Sequence, residues 1–414
     1  MKDCAKHIVA PDNCTGCSLC ANVCTHDAID MVWGEEGFLI PEVNLEACVG
    51  CGLCVKMCPA QKGGGKYPQD FAPAVKAYGV WHRDKSLHVG SSSGGAFTAL
   101  ARRVIGCGGC VFGVTWRDKL SAVVSKAETM EEIAAMRGSK YTMAIPGSSY
   151  REVGMELKRG RKVLFTGTPC QVHALKAYLR KPWENLITVD IVCHGVPSRL
   201  ILERYVQEAE LRTSKKIQHL SFRGKKDSWM RFNLTKHFTD GSVEETYLGE
   251  DDYMKLFLCD IALNRSCYNC RYAHFPRQGD ISLADFWGVE ALHPDWPLRE
   301  GIGVLLVNTP AGETILEEVS PELELRPVSF GEVYHGQQVV YIRPKRMLPY
   351  GRRFFLKDLA QGLPVSQLVE KYANLRWIGP FSLARYGKVN ERIVRIERLL
   401  CKIGRRLGLI PRIR

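Results

Sequence analysis

The sequence predicts three regions of different class: a small cysteine-rich α+β module, an α/β domain with a largely parallel sheet, and a basic helical tail. Three observations carry this reading. Seventeen cysteines are present, and eight of them crowd between Cys14 and Cys58. From about residue 74 onward, strand-like and helix-like stretches alternate. Between Arg385 and Arg414, ten Lys or Arg stand against only Glu391 and Glu397. A chain of 414 residues also exceeds the roughly 100 to 200 residues of one ordinary domain.

Composition narrows the function classes. Hydrophobic residues at 45% and charged residues at 24% exclude wholesale disorder. No apolar run approaches the roughly 20 residues that span a bilayer, and the first residues lack the apolar core of a signal peptide. The chain is therefore expected in the cytosol. Thiols in that reducing compartment point to metal or redox duty. The net charge of +13 is concentrated in the tail, and residues 1 to 66 carry five Lys against eight Asp or Glu. No base-reading module accompanies the charge, so nucleic acid is not an expected partner.

Residues 1–62 hold two cysteine runs, Cys14-Thr-Gly-Cys17-Ser-Leu-Cys20-Ala-Asn-Val-Cys24 and Cys48-Val-Gly-Cys51-Gly-Leu-Cys54-Val-Lys-Met-Cys58-Pro59. Each has the C-x2-C-x2-C-x3-C spacing of bacterial ferredoxins, in which the fourth Cys ligates the other cluster. Cys14, Cys17, Cys20 and Cys58 are thereby assigned to one [4Fe-4S] cluster, and Cys48, Cys51, Cys54 and Cys24 to a second. Paired C-x2-C also binds zinc, but two complete registers favour clusters. The first run ends in Cys24-Thr25 where a Cys-Pro is usual, which weakens a turn signal without removing a ligand.

Gly63-Gly64-Gly65-Lys66 and the prolines at 68 and 73 mark residues 63–73 as a linker. Beyond it, strands are expected over Ala74–Trp81, Lys162–Thr166 and Leu186–Val192, with helices over Gly94–Val104, Gln171–Leu179 and Ser198–Leu211. This alternation is the basis for the α/β domain. Cys170 then follows one strand and opens a helix, a position that favours a thiolate. Cys193 follows the next strand, so both fall at the carboxyl edge, where open sheets bind ligands. Cys267 and Cys270 form a further C-x2-C. From spacing alone, these four are as compatible with a zinc half-site and packing residues as with a third cluster.

Seven motifs run in series: Ser91-Ser-Ser-Gly-Gly95, Arg137-Gly-Ser-Lys-Tyr141, Gly167-Thr-Pro-Cys-Gln171, Cys193-His-Gly195, Ser221-Phe-Arg-Gly-Lys225, Cys267-Tyr-Asn-Cys270 and Asp285-Phe-Trp-Gly288. Together they resemble the beta subunit of coenzyme F420-reducing hydrogenase and dehydrogenase, over about residues 74 to 350. The resemblance implies that residues 74–380 form an α/β flavin-binding domain holding FAD. It also implies a [4Fe-4S] cluster on Cys170, Cys193, Cys267 and Cys270. For the flavin it implies Ser92, Ser93, Gly94 and Gly95 at a helix start suited to a phosphate, with Ser139, Lys140, Tyr141, Arg223 and Asp285 around it. Read without the family, the same residues form a serine-glycine turn, solvated bases and a core Trp.

The whole chain is then expected to be an α+β ferredoxin-like module fused to that domain. Its expected function is that of a flavin-dependent iron–sulfur oxidoreductase, passing electrons between a two-electron donor or acceptor, deazaflavin-like or otherwise, and the ferredoxin clusters. The alternative is a non-catalytic electron-transfer subunit that needs a partner reductase or dehydrogenase. Either role calls for a redox partner protein or a small electron carrier. Gly106-Cys-Gly-Gly-Cys-Val-Phe-Gly113 fails the dinucleotide register, so no nicotinamide site is expected. Its Cys107 and Cys110 read either as a thiol pair or as small residues in a glycine-rich turn, and Cys4, Cys259 and Cys401 as ordinary thiols. In residues 381–414, Ile393, Ile396, Leu399, Leu400, Ile403, Leu407 and Ile410 share one helical arc beside Arg395, Arg398, Lys402, Arg405 and Arg406. That pattern fits a helix docked on the core, or peripheral contact with the anionic inner face of a membrane.

Overall fold

Strands with unbroken apolar runs must be covered on both faces, and here they form the middle of one large sheet. The computed structural model describes residues 8–61, 76–333, 348–349 and 351–373. The proposed linker and the basic tail lie outside these residues. Near the N-terminus, β1 (Ile29–Trp33) and β2 (Leu39–Val43) form a hairpin flanked by the short helices Leu19–Val23 and Leu53–Met57. This small module is α+β, as expected.

The large sheet contains β3 (Lys76–His82), β4 (Cys110–Asp118), β5 (Ser121–Ala127), β6 (Ala144–Ile145), β7 (Val163–Gly167) and β8 (Leu186–Ile191). A separate antiparallel sheet is built from β9 (Ile217–Gly224), β10 (Asn233–Phe238) and β11 (Val243–Tyr247), and it has no counterpart in the sequence reading. The large sheet is completed by β12 (Ile281–Asp285), β13 (Gly303–Val307) and β14 (Leu323–Val328), in the order β14-β3-β13-β12-β8-β7-β4-β5-β6.

The expected parallel character holds for its centre and one edge. β12, β8, β7 and β4 pair in parallel, as do β5 and β6, whereas β14-β3, β3-β13, β13-β12 and β4-β5 are antiparallel. The sheet is therefore mixed. For β4-β5 the physical reason is connection length: only Lys119 and Leu120 separate the two strands, too few for the crossover of a dozen residues that a parallel pair requires. The expected strands and helices around the centre appear within two residues of their places, at β3, β7, β8, Ala96–Gly106, Pro169–Leu179 and Arg199–Thr213.

The ferredoxin-like module is docked on the sheet's helical cover. Leu19 and Val23 join Phe112, Tyr150, Phe165, Val172 and Leu175 in one apolar cluster. The polar part of the joint is centred on Arg151, which donates to the backbone oxygens of Asn22 (2.9 Å), Ala21 (2.8 Å) and Cys24 (2.6 Å) and pairs with Asp27. Asn22 returns a hydrogen bond to Gly147 O at 2.7 Å, and Arg352 pairs with Glu36. Charge-assisted hydrogen bonds contribute roughly 1.5 to 3 kcal/mol each when their partners are shielded. Arg151→Ala is thus expected to loosen the module by about 2 to 4 kcal/mol. Hydrogen exchange should accelerate at Leu19–Val23 and leave the amides of β7 and β8 unchanged; equal exchange in both proteins would remove Arg151 from the joint.

Candidate functional site

A cleft of about 380 Å³ opens at the carboxyl ends of the central parallel strands, within the roughly 300 to 1,000 Å³ usual for small-molecule sites. Its wall includes Ser92, Ser93, Gly94, Gly95, Ser139, Lys140, Tyr141, Arg223 and Asp285, all nine residues singled out for a flavin. It also includes Cys170 and Cys193, and Thr15 and Gly16 from the first cysteine run. Residues that are scattered along the chain meet here because β7, β8 and β12 end on the same side.

The Ser91–Gly95 turn is held by its own hydrogen bonds. Ser93 Oγ donates to Ile302 O (2.7 Å), and His82 N donates to Gly94 O (2.7 Å). Ser139 donates to Ser92 Oγ through its backbone N (2.8 Å) and its hydroxyl (3.0 Å). Gly94 lies so close to β3 that an added Cβ would meet Val80 O at 1.9 Å. Gly16, at φ +67°, lies as close to the opposite wall, its Cβ position being 1.9 Å from Met143 Cε. Glycine is therefore required at Gly94 by the nearby backbone and favoured at Gly16 by its positive φ.

The two basic residues are already committed to the protein. Lys140 Nζ donates to the carbonyls of Ala135, Met136 and Arg137 at 3.0–3.1 Å, capping the helix Met130–Met136, and burial pulls its pKa down to about 8. Arg223 makes a two-pronged pair with Asp285 at 3.0 Å on each arm, and donates to Tyr141 Oη and Ser92 O, each at 3.0 Å. Its guanidinium stacks over Phe232 at 4.1 Å. What these residues present to the cleft is charge and shape, with most of their protons spent. Trp287 lines the cleft and also stacks on Trp229 in the core, ring centroids 4.8 Å apart.

The cysteines gather in three places. Cys14, Cys17, Cys20 and Cys58 surround one small cavity. Burial, with the neighbouring thiols adding to it, pushes Cys14 up to about 12. Cys54 is raised by burial and by Cys51 and Cys24, which places those three together; Cys48 opens the same loop, its N–H donating to Asn44 O. Cys170 is raised far above the usual thiol range by burial, and then by Cys193, Cys270 and Cys17. Its helix N-terminus was expected to favour the thiolate, but burial outweighs it. Cys267 lies in the turn of helix Arg265–Tyr268 before Cys270. Among the described residues, no three His, Cys, Asp or Glu side chains converge on a single ion; a cubane asks for a wider ring, because each thiolate binds a different iron.

Four features of the site escaped the sequence reading. Thr15 and Gly16 carry the ferredoxin-like loop into the cleft wall. His194 lines the cleft with its Nε2 2.7 Å from Asp260. Lys225 ties His88 O, Ser93 O and Glu300 O together at 2.5–3.1 Å. Tyr150 and Tyr272 are buried near Cys17 and Cys170, and each is raised by burial and then by both thiols. His194 and Lys225 fall inside quoted motifs, but their partners are far away in sequence and no local pattern marks them. Cys107 is exposed and accepts from Arg103, whereas Cys110 is fully buried on β4.

The Arg223–Asp285 pair gives a stability test. Arg223→Met strips Asp285 of its buried partner and is expected to cost about 3 kcal/mol, since breaking one side of a buried pair leaves a charge uncompensated. Adding Asp285→Asn is expected to recover at least half of that loss. Urea midpoints of the two variants measure this, and equal midpoints would show that the pair is not coupled.

Residues 160–329 match the family model for the C-terminal part of the coenzyme F420 hydrogenase/dehydrogenase beta subunit, and residues 13–62 match the 4Fe-4S dicluster domain. No curated protein sequence matches the chain. Among solved structures, the chain is similar to one from the xenon-derivatised F420-reducing [NiFe] hydrogenase complex of Methanosarcina barkeri. The identity is 18%, 74% of this chain and 92% of that one are covered, and the TM-score is 0.44. Residues 160–329 thus belong to the coenzyme F420 hydrogenase/dehydrogenase beta-subunit family, joined in one chain to a 4Fe-4S dicluster domain.

Proposed function

We propose that the protein is a flavin-dependent iron–sulfur oxidoreductase that passes electrons between a two-electron donor or acceptor and the clusters of its ferredoxin domain. The observation that carries this reading is the shared wall of the cleft. All nine residues assigned to FAD, two of the four cysteines assigned to a third cluster, and two residues of the first ferredoxin loop border one space. A two-electron carrier bound there lies beside the one-electron centres it must serve.

The residues present fit both groups. Four cysteines bordering one small cavity match the crossed ligand set that the spacing assigns. The Cys193 and Cys270 thiols both lie within electrostatic reach of Cys170 although the three come from separate elements. The cleft is walled by small residues at Ser92–Gly95, by the planar side chains Trp287 and Phe257, and by the neutralised Arg223–Asp285 pair. A bound flavin would supply the exchange between hydride and single-electron chemistry. The protein's part is to hold the ring at the strand ends, to set the local charge through Arg223 and Asp285, and to exclude water with Met254, Phe257 and Trp287.

A second reading, the electron-transfer subunit that depends on a partner enzyme, draws on the family description, which names a subunit. Purified protein that oxidises reduced deazaflavin or reduces a dye unaided supports the enzyme. Failure with every two-electron donor at full cofactor loading supports the dependent role. Anaerobically purified protein is expected to carry about twelve irons, four for each cubane, and one FAD. Cys170→Ala is expected to keep about eight irons. About eight irons in the unaltered protein, unchanged by Cys170→Ala, overturns the third cluster, and protein with intact clusters but no flavin overturns the flavin assignment.

A further inference from the structure

We propose that the loop Val49–Cys51 and the acidic strand ends beside it form the docking surface for a protein electron carrier whose cofactor is rimmed by Lys and Arg. Single electrons would enter or leave the chain there. The proposal rests on the cluster assignments of the preceding reading, but not on the flavin.

The two cysteine sets of the ferredoxin module differ in how far they are buried. The set of Cys14, Cys17, Cys20 and Cys58 faces inward. Thr15 and Gly16 enter the cleft wall, Tyr150 Oη donates to Cys17 O at 2.8 Å, and Arg271 donates to Pro59 O. Cys17 is also the ferredoxin thiol that acts on Cys170. The set of Cys24, Cys48, Cys51 and Cys54 is the more open, with only Cys54 packed on the shared core. Cys51 is exposed, Val49 is 59% exposed and Leu45 38%, and a Cβ added at Gly52 would meet nothing within 4 Å. Electron transfer needs close approach of the two centres, so the open end of the series is where a second protein can reach.

The charge around that end selects the partner. Asp30 on β1 stands directly opposite Glu42 on β2, and both are exposed. Glu46, also exposed, lies in the turn that leads into Cys48. None of the three has an ion-pair partner among the described residues. Like charges directly opposite on paired strands destabilise a hairpin, so this arrangement opposes folding unless something positive covers it. A partner with a basic rim relieves the repulsion and is steered to the exposed loop. Each encounter moves one electron: the cluster is oxidised as the partner's centre is reduced, or the reverse, with no bond made and no proton moved.

The test uses the full-length, cluster-loaded protein, reduced and freed of excess reductant. It is mixed with oxidised cytochrome c, a basic one-electron protein, and in parallel with a small uncharged quinone. In Asp30→Asn/Glu42→Gln, the second-order rate with cytochrome c at low salt is expected to fall roughly three- to tenfold. The difference should vanish at high salt, the quinone rate should hold, and the thermal midpoint should rise. Glu46→Gln, outside the strands, should slow cytochrome c by a smaller factor. Glu290→Gln/Asp295→Asn, the same charge change beyond β12, should do nothing. An unchanged cytochrome c rate in Asp30→Asn/Glu42→Gln, or an equal fall in the Glu290→Gln/Asp295→Asn control, overturns the proposal whether or not the protein binds flavin. A fall with cytochrome c and quinone alike also overturns it, because it reports damage to the cluster.

Discussion

The arrangement depends on the contact between the helix Leu19–Val23 and the helical cover of the central strands. Leu19 is 1% exposed and Tyr150 is fully buried, and both sit in the cluster that includes Val172 and Leu175 of the helix opened by Cys170. Burial of this kind contributes roughly 1.5 to 3 kcal/mol for each large apolar side chain. Arg151 then fixes the angle of the contact by holding three backbone oxygens of the Asn22–Cys24 turn and its approach. A ferredoxin-like domain tethered by its linker alone would sample many positions. Docked in this way, its first loop forms part of the cleft wall, and the buried Tyr150 hydrogen-bonds the backbone of Cys17.

Burial also shapes the chemistry of the thiols. Deprotonation brings a charge into an apolar setting, and each neighbouring thiol makes the next charge harder to form. The sets around Cys14 and Cys170 are both of this kind. Such groups are poor nucleophiles by themselves, and irons would offset both penalties at once. The Arg223–Asp285 pair follows similar logic on the other side of the cleft. A buried guanidinium is tolerable because a carboxylate accepts two of its hydrogen bonds, and the pair leaves the cleft wall close to neutral.

Much of this was legible in the sequence, for identifiable reasons. Cluster ligands have short-range spacing, so the two runs at Cys14–Cys24 and Cys48–Cys58 mark the dicluster domain directly, and Cys58 borders the same cavity as Cys14, Cys17 and Cys20. Strands β7 and β8 carry the apolar runs of covered strands and were legible too. The mixed character of the sheet was missed because alternation of elements says nothing about strand direction; the two-residue connection at Lys119-Leu120 does. The sheet β9–β11 was missed because its strands follow one another after a long helix and mimic a loop region. The partners of Arg223, Lys225 and His194 are set by tertiary closure and leave no local trace. Lys140 lines the cleft, and no local pattern shows that its ammonium also caps a helix.

The central claim is that the third cysteine set and the first ferredoxin set are neighbours on one electron path. The most direct measurement is electron paramagnetic resonance of the fully reduced protein, with and without Cys170→Ala. If the sets are adjacent, the ferredoxin signal is broadened by a nearby third spin, and it narrows in the variant while the irons of the ferredoxin module stay in place. A ferredoxin signal of identical shape in both proteins, with the third cluster present in one and lost from the other, would contradict the account.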